Sequence, residues 1–205
     1  TEPGRWLVDR FEESLSRLGL SSVHGLLAHS ATDLSGPWGD ALFDQMLRLK
    51  REGRVERVGV SVYTGAEIDA VSRHAVDMIQ LPYSLLDRRI ERSGHLADLE
   101  RRGITVYARS VFLQGLVFVA PARLPKHFDS ARARLSQFQD FLTERRLSAA
   151  QVALTFAART PGIGFVVCGV NDHAQLVELC EHLDQPARVS RAELDRFEID
   201  DPQIV

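Results

Sequence analysis

Lysine is nearly missing from this chain: Lys50 and Lys126 are the only two among 25 basic Lys and Arg residues. The arginines are dispersed over candidate helix faces, and the net charge is −3. A nucleic-acid partner is therefore not expected. Cysteine is just as scarce. Cys168 and Cys180 make no disulfide framework, which fits a reducing, cytoplasmic setting, and their places on an apolar strand and a helix read as small core positions. No apolar run approaches the ~20 residues needed to cross a bilayer, so no membrane association is expected. The seven histidines are scattered without ligand spacing, and no metal site is expected. There is also no GxSxG elbow for a serine triad, and no GxGxxG loop.

What remains is a regular alternation. The 205 residues, 44% hydrophobic and 26% charged, suffice for one domain with a substantial core. Arg5 to Leu18 carries Val8, Phe11, Leu15 and Leu18 on one helical stripe, and Gly19 stops it. Short apolar strands are expected at 23–28, 55–60, 78–81, 104–108 and 163–167. Helices are expected between them at 39–51, 65–74, 90–102 and 130–145. Ser148 to Gln151 has the form of a capping box opening a helix that ends before Pro161. Asn171 can cap a helix through Leu183, and Ser190 to Glu193 forms a second box before a short terminal helix. Five strands alternating with amphipathic helices mean repeated βαβ units and a parallel sheet. Such a sheet is either open and doubly wound or part of an eight-stranded barrel. Because the first strand runs into Ala28-His29-Ser30 without a glycine-rich phosphate loop, the barrel is preferred.

Polar residues stand just past the strand ends, where α/β enzymes place their chemistry. His29 closes the first strand, with Asp33 and Trp38 in the loop beyond. Its imidazole can donate to a carbonyl oxygen or relay a proton, whereas a lone histidine is more commonly satisfied by backbone. Ser61 and Gln80 end the next two strands. A hydroxyl and a carboxamide on neighbouring strands can grip a planar amide, or they can simply cap adjacent elements. Arg109 and Ser110 follow the fourth strand. Gly169 to Glu178 leads from the fifth strand into a helix start, where free amides favour a phosphate, although every helix start shares that property.

Seven stretches together resemble the aldo-keto reductase family, in its order and at its spacings: SLSRLGL from Ser14, LLAH from Leu26, LKREGRVERVGVS from Leu49, IQLPYS from Ile79, GITVYARSVFLQGL from Gly103, AAQVAL from Ala149 and VVCGVNDHAQLVE from Val166. The resemblance implies an α/β fold, a (β/α)8 TIM barrel of which this chain supplies about five βα units. It also implies a metal-free oxidoreductase that reduces an aldehyde or ketone to an alcohol with NADP(H), less often NAD(H). A small-molecule carbonyl compound is then the substrate. His29 matches the histidine that orients the substrate, and Ser61 and Gln80 match residues that hold the nicotinamide amide. Arg109, Ser110, Phe112 and Gln114 match the loop under the nicotinamide and pyrophosphate. Gly169, Asn171, Gln175 and Glu178 match the region around the adenosine phosphate.

The departures are specific. Val62 replaces a common asparagine, Arg109 a frequent aromatic that stacks on nicotinamide, His24 a frequent aspartate and Leu179 a frequent asparagine. The family's catalytic aspartate, tyrosine and lysine have no counterpart, since Tyr63, Tyr83, Tyr107, Lys50 and Lys126 match none of those positions. The expectation is a single domain, residues 1–205, that lacks the first three βα units and is inactive alone. A cofactor-binding regulatory or redox-sensing subunit of the same fold is the alternative, and another barrel enzyme such as an isomerase or lyase is a third.

Overall fold

The computed structural model describes residues 3–201. Its elements run α1 (Pro3–Leu18), β1 (Val23–Ala28), α2 (Ala31–Ser35), α3 (Gly39–Arg51), β2 (Val55–Ser61), α4 (Gly65–Val71), β3 (Met78–Pro82), α5 (Arg89–Arg92), α6 (His95–Arg101), β4 (Thr105–Arg109), α7 (Asp129–Arg145), α8 (Ala149–Ala158), β5 (Ile163–Val166), α9 (His173–Asp184) and α10 (Arg191–Leu194), with short 3-10 turns between β4 and α7 and after α10. The strands are hydrogen-bonded in sequence order, β1-β2-β3-β4-β5. Among the described residues, no helix is long and apolar enough to cross a membrane. The chain divides into two compact units: one runs to Leu81 and includes Asp98–Val106, and the other holds Pro82–Ala97 and the chain from Tyr107.

In the first unit, β1 and β2 pair in parallel with Val23 opposite Val55 and Ala28 opposite Val60, while β2 and β3 pair with Ser61 opposite Gln80. Val58 and Val60 are fully buried on one face of β2, as are Ile79 and Leu81 on β3. On the opposite face, Gly59 lies so close to β3 that a Cβ there would sit 2.1 Å from the Met78 carbonyl oxygen; no larger residue fits. The start of β3 is tied down by charge. Lys50 Nζ donates to both carboxylate oxygens of Asp77 at 2.6 and 2.7 Å, and that carboxylate also accepts the Val58 amide. From α1, Phe11 and Leu15 are buried, whereas Trp6 and Leu18 are exposed beside the outer strand β1.

The second unit is built on a buried polar knot. Tyr83 is fully buried, its ring stacked 5.6 Å from Phe156. Its hydroxyl donates to Glu91 at 2.8 Å and lies 3.3 Å from the Thr160 hydroxyl. Arg191 sits over Phe156, 4.3 Å from the ring centroid, and pairs with Glu91, so α10 is fastened to the segment after β3. Burial pushes the Tyr83 hydroxyl up to about 12. Helix α8 is buried almost all round, from Ala150 to Ala157, whereas α9 has no fully buried residue.

Several expectations are corrected in detail. A five-residue helix, α2, lies in what reads as loop after His29, and Asp33 belongs to its capping box with Ser30. The helix expected over 90–102 is two helices, separated at Gly94 with φ of +83°. Asp172, not Asn171, caps α9. Gln151 does not complete a box with Ser148; its amide donates to the Gln185 carbonyl instead. Neither cysteine is a core residue: Cys180 is exposed on α9, and Cys168 is half-buried beyond the end of β5.

Candidate active site

In the first unit, the strand register sets three polar side chains in a row at the C-terminal ends of β1, β2 and β3. Ala28 is level with Val60, so His29 follows alongside Ser61, and Ser61 pairs with Gln80. Ser61 is buried and Gln80 half-buried. The Ser61 hydroxyl donates to the Gln80 side-chain oxygen across a long 3.5 Å, and the Val62 amide donates to the Gln80 backbone carbonyl at 2.9 Å. The backbone bond locks the register. The long side-chain bond is weak and easily exchanged for a better partner, so the hydroxyl and the carboxamide keep hydrogen-bonding capacity to spare.

His29 is exposed and lies on the rim of an apolar cavity of about 550 Å³ bounded by Trp6, Phe11, Leu27, Trp38 and Leu42. Asp33 lines the same cavity, but one of its carboxylate oxygens accepts the Ser30 amide, which accounts for its position structurally. A different histidine, His74, is buried and satisfied by backbone, 3.0 Å from the Leu34 carbonyl and 4.7 Å from the Phe43 ring.

In the second unit, β4 ends at Arg109, whose guanidinium reaches the Ser110 hydroxyl at 3.3 Å. The chain then turns sharply. Ser110, Leu113 and Gln114 have φ of +59°, +44° and +53°, and Gly115 follows at +88°. Side chains at positive φ are uncommon and cost energy, and they cluster where a site dictates backbone direction. Val111 anchors this turn in a buried cluster with Ala153 and Ala157, against which Phe112 and Val166 pack.

Beside the turn lies a second cavity, of about 520 Å³. Five of the residues singled out from sequence line it: Phe112, Gly169, Asn171, Gln175 and Glu178. Arg109, Ser110 and Gln114 are outside the lining, and Gln114 is exposed. Sequence reading missed Phe118, which lines the cavity with its ring tilted against Phe112 at 5.3 Å; no periodicity marks it, because it sits in irregular chain. Glycines 115 and 169 border the cavity, and a Cβ at either would meet no atom within 4 Å. The start of α9 is closed by its own side chains. Asp172 accepts the Gln175 amide at 2.9 Å, and the Gln175 side-chain oxygen accepts the Asn171 amide at 2.8 Å. One turn on, Glu178 lies 3.3 Å from His182, which also reaches the Ser148 hydroxyl at 3.1 Å.

Two of the three tyrosines and one of the two lysines hold structural places. Tyr83 and Lys50 are committed to the knot and to the Asp77 clamp, and Tyr107 stacks on Phe165 with ring centroids 4.6 Å apart.

These features meet known proteins at two points. The model of the aldo/keto reductase family matches residues 4–197. Among solved structures, the aldo-keto reductase AKR11C1 from Bacillus halodurans, in its holo form, superimposes with a TM-score of 0.75 at 21% identity, over 95% of this chain and 63% of that one. At that identity the likeness is one of fold, and this chain spans less than two thirds of that protein's length. No curated protein sequence matches. The five-stranded parallel sheet with alternating helices has the topology of the aldo-keto reductase (β/α)8 barrel. With nearly its whole length matched by the family model, the chain belongs to the aldo/keto reductase family.

Proposed function

We propose that these residues form the cofactor-binding part of an oxidoreductase that reduces an aldehyde or ketone with a nicotinamide dinucleotide. The observation that carries this reading is the convergence of Phe112, Gly169, Asn171, Gln175 and Glu178 on one cavity. The donor set fits such a cofactor: two bare glycines where a nucleotide would need close approach, an aromatic pair, and amide and carboxylate groups for hydroxyls and ring nitrogens. When bound, the cofactor supplies the hydride. Ser61 and Gln80 hold the nicotinamide carboxamide, and Arg109, Ser110, Phe112 and Gln114 shape the backbone turn beside the pyrophosphate. Gly169, Asn171, Gln175 and Glu178 receive the adenosine end. His29, on the rim of an apolar cavity, orients the carbonyl oxygen of a small-molecule substrate.

By this reading the 205 residues bind nucleotide but require a further βα segment for turnover, because none of Tyr63, Tyr83, Tyr107, Lys50 and Lys126 matches the family's acid–base positions. General acid–base assistance typically supplies ~10²–10⁴-fold. Binding without turnover would also suit a regulatory subunit of the same fold. The reading is tested by fluorescence titration with NADH and NADPH, alongside steady-state reduction of several aldehydes by the form that turns over. Gln80→Ala should weaken nucleotide binding by roughly 0.5–1.5 kcal/mol, the net value of one hydrogen bond. His29→Ala should lower kcat/KM for the carbonyl and leave nucleotide affinity unchanged. The reverse pattern would overturn the assignment, and turnover by the 205 residues at the rate of an extended form would overturn the need for a further segment.

A further inference from the structure

Charge around the second-unit cavity discriminates between the two nicotinamide dinucleotides, which differ by one phosphate on the adenosine ribose. Resting on the cofactor reading above, we propose that this cavity selects NAD(H) over NADP(H), with Glu178 and Asp172 as the specificity-determining residues. Among the described residues that line the cavity, none is Arg or Lys, and the only charged side chain is Glu178. A ribose 2′-hydroxyl is a donor that a carboxylate accepts well, whereas a 2′-phosphate calls for a cation such as arginine. A dianion beside Glu178 would meet repulsion in a partly enclosed space, where charge interactions are stronger than in bulk water.

The start of α9 points the same way. A helix N-terminus ordinarily attracts phosphate through free amides and its dipole. Here the Gln175 amide is already taken by the Asp172 carboxylate at 2.9 Å, and the Asn171 amide by the Gln175 side chain at 2.8 Å. The cap thus takes two of the backbone amides at this end of α9 and sets a negative charge beside them. His182 faces Glu178 at 3.3 Å and the Ser148 hydroxyl at 3.1 Å, and it is not among the residues that line the cavity.

The test uses ligands that need only this cavity. Isothermal titration at pH 8 with 5′-AMP and with 2′,5′-ADP, which differ only by the 2′-phosphate, should give at least tenfold tighter binding of 5′-AMP, and NADH should exceed NADPH in the same sense. Glu178→Gln should shrink the 5′-AMP to 2′,5′-ADP ratio at least fivefold. Asp172→Asn, which removes the charge but keeps a side-chain oxygen for the cap, should shrink it further. Circular dichroism of both variants checks that α9 stays folded. Equal or tighter binding of 2′,5′-ADP by the parent protein would overturn the selectivity, as would a ratio unmoved by both substitutions. If neither 5′-AMP nor NADH nor NADPH binds, the cofactor reading itself fails, and the selectivity falls with it.

Discussion

Gly169→Ala separates a functional glycine from a structural one. At Gly169 an added Cβ would meet no atom within 4 Å, and the residue is not among those with positive φ. Folding therefore gains from the substitution: replacing glycine by alanine at a compatible position stabilises by about 0.4–1 kcal/mol, because the unfolded chain loses freedom. Binding should move the other way. The methyl group would project beside a cavity bordered by Asn171, Gln175 and Glu178, and a nucleotide approaching this backbone would have to withdraw from contact. We expect at least tenfold weaker ADP and NADH binding, or about 1.4 kcal/mol.

The contrast is Gly59→Ala, where the Cβ would lie 2.1 Å from the Met78 carbonyl oxygen. Backbone cannot yield there as a flexible side chain can, so the substitution should cost about 1–3 kcal/mol or more of stability. Both tryptophans, Trp6 and Trp38, lie in the first unit. Urea unfolding of Gly59→Ala is therefore followed by tryptophan fluorescence and that of Gly169→Ala by circular dichroism. Nucleotide affinity comes from calorimetry. If Gly169→Ala binds ADP as tightly as the parent, the chain does not approach nucleotide at this glycine. If it unfolds at lower urea than the parent, the space read beside Gly169 is not there.

The Tyr83 hydroxyl, raised by burial to about 12 against about 10 when unfolded, binds its proton more tightly in the native state. Its contribution is intact below pH 10 and lost as pH rises from 10 through 12, amounting to about 2–3 kcal/mol; urea midpoints measured across that range should fall more steeply for the parent than for Tyr83→Phe, and equal slopes would refute the assignment. At neutral pH, Tyr83→Phe should cost about 1–3 kcal/mol, since Glu91, Thr160 and Arg191 lose a buried partner. Alkylation with iodoacetamide at pH 8, read by mass spectrometry, should modify exposed Cys180 before Cys168, whose thiol is raised by burial; faster modification of Cys168 would contradict the environment found beyond β5.

Strand positions were legible in this sequence because glycine and polar residues bracket short apolar runs, as at Val23–Ala28 and Val55–Ser61. Once β1, β2 and β3 are parallel and their lengths known, placing His29, Ser61 and Gln80 side by side needs only the register. What escaped was decided by geometry between neighbours. Helix α2 spans five residues, too short for a helical period to register. Asn171 and Asp172 are equally good caps by residue type. Asp172 is the cap because Gln175 then falls at the third helical position, where its side chain can close back on the Asn171 amide.

The turn after β4 shows the deeper reason that a site is harder to read than a fold. Leu113 and Gln114 adopt positive φ without being glycine, so their residue types give no warning of it. Such conformations persist only when surrounding structure over-determines them, and here the buried Val111 cluster supplies that constraint. The constraint comes from Ala153 and Ala157 on α8, some forty residues downstream. Sequence reading, with the family resemblance, therefore finds residues that border the cavity, such as Phe112 and Gly169, but not the backbone path that brings Gly115 and Phe118 to it. The same logic applies to the proposed selectivity. The family resemblance singles out Glu178 from the sequence, but its bearing on the choice of nucleotide rests on the cavity it borders, which contains no Arg or Lys among its described lining residues.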